Sequence, residues 1–116
     1  MGNQSKPKTK VMTKKVLSVM NVTFEILEKT PPTLVIKANG TVNSSGWLNA
    51  KLNPFIYVVP PIDGIYEFDF VANKPTGIVL EVITAIHSKP FFWDNFPSDL
   101  KGIKVYAETD DITVKL

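Results

Sequence analysis

Apolar and polar residues alternate one by one along much of this chain, the period-two pattern of strands with one buried face. The clearest run is Ile65-Tyr66-Glu67-Phe68-Asp69-Phe70-Val71-Ala72. Tyr66, Phe68 and Phe70 fall on one face, and Glu67 and Asp69 on the other. Pro60-Pro61 and an expected turn at Asp63-Gly64 lead into it, so the run reads as a central strand.

Upstream, Val16, Ser18, Met20, Val22, Phe24 and Ile26 share one face of a second predicted strand. The four-residue spacing of Met12, Val16 and Met20 leaves a helical start open there. Thr30-Pro31-Pro32 ends the segment. Leu34, Ile36 and Ala38 alternate next, and Asn39-Gly40, a preferred hairpin pair, predicts a tight turn before Thr41-Val42. After the loop Asn43–Gly46, Leu48, Ala50 and Leu52 alternate again. Phe55-Ile56-Tyr57-Val58-Val59 is continuously apolar, as a strand covered on both faces would be.

Downstream, Val79, Val82, Ile83 and Ile86 have helical spacing, but β-branched residues dominate Ile78–Ile86 and predict a strand. Ser88-Lys89-Pro90 breaks it. Phe91 to Pro97 reads as an aromatic loop, and Ser98–Lys101 as a single helical turn capped by Ser98. Gly102–Ala107 and Asp111–Leu116 form a closing hairpin. Short strands punctuated by proline and glycine predict an all-β fold: an immunoglobulin-like β-sandwich of about 7–9 short antiparallel strands, with a small β-barrel as the alternative.

At 116 residues the chain is one domain by length. It has no cysteine, so disulfides, thiolate metal sites and cysteine nucleophiles are excluded. All thirteen basic residues are lysine, five of them within residues 1–15, where there is no acid. The other eight stand against eleven acids, a net of −3. Residues 1–13 are therefore expected to be a disordered basic tail, and 14–116 a single domain. Without arginine, whose planar fork reads phosphate and guanine, no specific nucleic-acid partner is expected. No signal peptide or membrane-length apolar stretch occurs, and a cytoplasmic location is the expectation.

Candidate chemistry is sparse. Glu67 and Asp69, two apart on a strand, could serve as paired carboxylates. His87 is the one side chain that titrates near neutrality, but adjacent Ser88 points to the opposite strand face. The aspartates at 63, 94, 99, 110 and 111 match no EF-hand spacing, and no phosphate cradle or dinucleotide motif occurs, so neither metal nor cofactor is expected. Phe91, Phe92, Trp93 and Phe96 crowd four aromatics into six residues, enough to supply binding anchors if exposed, or to plug the core together with Trp47.

Ser45-Gly46-Trp47, Asn49, Pro54, Pro60-Pro61, Asp63-Gly64-Ile65, Phe68-Asp69-Phe70-Val71-Ala72 and Pro75 together resemble a family of small bacterial proteins, over the span from Pro31 to Leu116. That resemblance implies no activity, cofactor or catalytic residue. The expected function is a non-catalytic binding or accessory module, meeting another protein or a second copy of itself through the aromatic loop or an exposed edge strand. Phe91, Phe92, Trp93, Phe96, Trp47 and His87 are its candidate contact residues. A small hydrolase using Glu67, Asp69 and His87 is the alternative.

Overall fold

The computed structural model describes residues 12–116, so the expected tail lies outside the described residues up to position 11. Thr13, at the tail's expected end, already opens the first strand. The described residues form nine strands, in order: β1 (Thr13–Lys15), β2 (Ser18–Leu27), β3 (Thr33–Val42), β4 (Leu48–Pro54), β5 (Ile65–Asn73), β6 (Thr84–His87), β7 (Phe91–Asp94), β8 (Gly102–Tyr106) and β9 (Asp111–Lys115). They form two sheets packed as a β-sandwich.

β5 is the hub of the first sheet. β4 pairs along one side of it; β8 and β1 share the other, and β9 pairs β8. In the second sheet β3 is central, with β2 on one side and β6 and β7 end to end on the other. Among the described residues every ladder is antiparallel except β5–β8, which is parallel. Two edges result. At one, Lys89 N–H donates to Ala50 O across the sheets (2.9 Å), joining β4 to the β6–β7 strand. At the other, β2 lies over β9, and Val19 N–H donates to the Asp110 carboxylate (2.8 Å).

The core follows the alternation. Phe68, Phe70, Leu34, Ile36, Ile103, Val16, Val42 and Val105 are fully buried. Burying a side chain of the Val-to-Phe class is worth roughly 1.5–3 kcal/mol relative to exposure. The turn at Asp63-Gly64 forms as its residues predict. Gly64 has φ +71°, its N–H donates to Pro61 O, and the Asp63 carboxylate accepts from Ile65 N–H.

Six segments depart from the sequence reading. Asn39-Gly40 does not turn: β3 runs straight through it to Val42. The glycine is needed instead for close approach, because a Cβ there would collide with the Ser18 carbonyl and press on the Phe70 ring. Opposite it, β2 carries one extra residue between Val19 and Asn21, so Val16, Val19 and Val22 point inward and Met20 outward.

Phe55–Val59 is not a strand. It leaves the sheet at Pro54 and crosses the outer face of β5 as a strap. Phe55 stacks on Tyr106 (5.7 Å between centroids) and Tyr57 lies over Glu67, while Ile56 and Val58 stand in solvent. Ile78–Ile83 is likewise irregular, and only Thr84–His87 of that apolar stretch joins a sheet. The expected aromatic loop is largely strand β7, paired to β3 from Phe91↔Ile36 to Asp94↔Thr33. Ser98–Lys101 makes a non-helical turn in which Leu100 N–H donates to Pro97 O (3.1 Å).

Candidate binding groove at one end of the sandwich

The six candidate contact residues are dispersed over three places. Phe91 and Trp93 point inward: Phe91 meets Phe68 edge-on at 5.2 Å, and Trp93 meets Tyr66 at 5.4 Å and Phe68 at 5.8 Å. Phe96 packs half-buried against the same core. Phe92 alone of this group faces outward, 61 % exposed beside its cross-strand neighbour Val35. His87 sits on the outer face of the β2–β3–β6 sheet, its Nδ1 2.7 Å from Asn39 Oδ1. Trp47 lies at the opposite end of the sandwich from β7.

The catalytic alternative finds its residues on opposite outer faces. Glu67 and Asp69 lie on the outside of the β5 sheet, across the sandwich from His87. Both Glu67 carboxylate oxygens accept phenolic hydroxyls, from Tyr57 (3.0 Å) and Tyr106 (2.6 Å). Asp69 Oδ1 is enclosed and lies 3.6 Å from Lys15 Nζ. The candidate aspartates are engaged separately: Asp94 accepts from Thr33, Asp99 from Tyr66, and Asp110 from Val19 N–H. Among the described residues no group of three or more His, Asp or Glu is placed to hold a metal ion.

The most built concavity lies around Trp47, between the β3–β4 loop and the β5–β6 segment. Two adjoining depressions, about 460 and 530 Å³, share Lys74, Pro75, Ile78 and Val79. Asn43, Ser44 and Trp47 complete one, and Gly46, Leu48 and Asn49 the other. Local geometry shapes both walls. Gly46 (φ +88°) lets the first loop turn tightly against Pro75, where a Cβ would come within 3.0 Å of the proline ring. Ser45 N–H donates to Leu80 O (2.9 Å), and Leu80 N–H returns a bond to Ser45 Oγ (3.1 Å). Trp47 Nε1–H donates to Ser44 Oγ (3.1 Å), so the indole is anchored and presents its apolar surface.

Gly77 (φ +86°) then turns the chain so that Ile78 is fully solvent-exposed, with Leu48 (66 %) at the start of β4 and Leu80 (71 %) in the β5–β6 segment also exposed. Sequence reasoning placed Leu48 on one alternating strand and Ile78 and Leu80 in another, because an apolar run reads the same whether it is buried or displayed. Trp47 was the one signal pointing to this end.

Comparison with protein-family models, with curated proteins and with solved structures finds no match for the chain. Among the described residues no helix is long and apolar enough to cross a membrane.

Proposed function

We propose that this immunoglobulin-like sandwich serves in the cytoplasm as a non-catalytic protein-binding module, with the groove beside Trp47 and Ile78 as its docking site. One observation carries the reading: Leu48 at the start of β4, with Ile78 and Leu80 in the β5–β6 segment, stands in water beside Trp47, where hydrogen bonds between Ser45 and Leu80 tie the two walls together. Fixed apolar anchors lose little entropy on binding, which distinguishes a docking surface from scattered surface leucines. The partner is a protein segment with aliphatic side chains that fills the depression between Leu48 and Val79. Lys74 and Asn49 supply a polar rim.

The test is affinity capture from an extract of the source cells with wild type, Ile78→Asp and Phe92→Ala. Ile78 has no packing to lose, so its variant stays folded. A protein retained by wild type and Phe92→Ala but lost with Ile78→Asp supports the groove. Equal retention by all three, or loss with Phe92→Ala alone, overturns it.

A further inference from the structure

Among the described residues the outer edge of β9 is unpaired, and it carries a self-complementary sequence, Asp111-Ile112-Thr113-Val114-Lys115. Its hydrogen-bonding phase is set by the contacts with β8. Ala107 N–H donates to Asp110 O and Leu116 N–H to Lys101 O, and the register pairs Val105 with Ile112 and Ile103 with Val114. Positions 110, 112, 114 and 116 therefore turn their backbone groups toward β8. Asp111, Thr113 and Lys115 turn theirs away, to an edge with no other backbone bond among the described residues.

We propose that two copies of the chain pair antiparallel through this edge, about a two-fold axis at Thr113, continuing the β5 sheet from one copy into the other. In that register Thr113 faces its own counterpart, and Asp111 of each copy faces Lys115 of the other. All three positions exchange backbone hydrogen bonds. Ile112 then faces the other copy's Val114. The charged pairs lie on the outer face and the aliphatic pairs on the inner one, matching the alternation of exposure along β9.

Moving the axis by one residue opposes Asp111 to Thr113 and leaves Lys115 without its carboxylate, so charge fixes the register. The same two charges disfavour a foreign strand that does not complement them. On the core side of this sandwich edge Phe24, Ile26 and Leu116 remain about 40 % exposed, giving the second copy apolar surface to cover.

The edges at β4 and β2 are less suited. β4 is bulged between Leu48 and Lys51, ends in Pro54 and is bridged by Lys89. β2 is bulged after Val19.

The pairing is independent of the groove and is tested with the full chain by sedimentation velocity over a concentration series. Wild type is expected to show a reversible monomer–dimer equilibrium. Asp111→Lys and Lys115→Asp should each weaken it by about tenfold or more, because both cross-strand pairs turn from attractive to repulsive. Mixing the two variants in equal amounts should restore association, since each repulsive set complements the other. Thr113→Pro removes an N–H that β8 does not use, and should abolish the dimer while circular dichroism stays that of a folded sandwich. A wild type that remains monomeric throughout overturns the proposal. So do single variants that associate like wild type, or a mixture that fails to recover.

Discussion

At Glu67 a carboxylate that sequence alone offers as a catalytic acid is held by two tyrosines. Tyr57 O–H donates to it, and the same phenolic oxygen accepts from Glu67 N–H (2.9 Å), so one side chain fastens the strap to β5. Burial of the phenol, reinforced by its hydrogen bond to the Glu67 carboxylate, pushes the Tyr57 pKa from 10.0 up to about 12. Tyr106 is also raised, chiefly by its bond to Glu67, and Tyr66 chiefly by burial. A raised pKa means that the folded chain holds the proton more tightly than the unfolded chain. The associated stability is complete below pH 10 and is lost as pH climbs through about 12. Thermal midpoints of wild type should therefore fall steeply between about pH 10 and 12, and Tyr57→Phe should flatten part of that fall. Identical slopes for the two proteins would detach Tyr57 from the alkaline transition.

Among the elements, β7 separates packing from display within four residues. Trp93→Ala removes a ring lodged against Tyr66 and Phe68 and should cost about 2–4 kcal/mol of unfolding free energy. Phe92→Ala, on the outer face, should change stability by less than about 1 kcal/mol. Urea denaturation of both variants reads the difference directly. Most strands were legible in the sequence wherever alternation met a clear stop. β5 is delimited by Asp63-Gly64 and by Lys74-Pro75, and β8–β9 by Gly102 and the acidic loop. Phe55–Val59 and Ile78–Ile83 were not, because apolar composition does not encode whether a neighbouring strand exists to receive it. Gly40 misled for a related reason: the residue that permits a turn also permits a close crossing. The groove depends on those two kinds of information together, and only Trp47 hinted at it.

For the whole molecule, stability is distributed around two strands. β5 and β3 are each paired on both sides and line the core with Phe68, Phe70, Leu34 and Ile36. Their amides should exchange with solvent most slowly, with protection approaching that of global unfolding. Amides of Ile56, Val58 and Ile78 should exchange orders of magnitude faster. Hydrogen exchange read by NMR checks this ranking, and slow exchange at Ile78 would contradict a solvent-exposed loop.

β6 pairs with β3 so that Ile86 opposes Gly40, and an undisturbed continuation would set Pro90 opposite Ile36; instead Phe91 stands there. The break at Ser88–Pro90 thus inserts one residue, which inverts the parity of everything after it. Even-numbered side chains face the interior in β6, and odd-numbered ones in β7. That single inserted residue assigns Phe91 and Trp93 to the interior and Phe92 to the surface. A chain one residue shorter there would present the opposite half of its aromatic stretch to the outside.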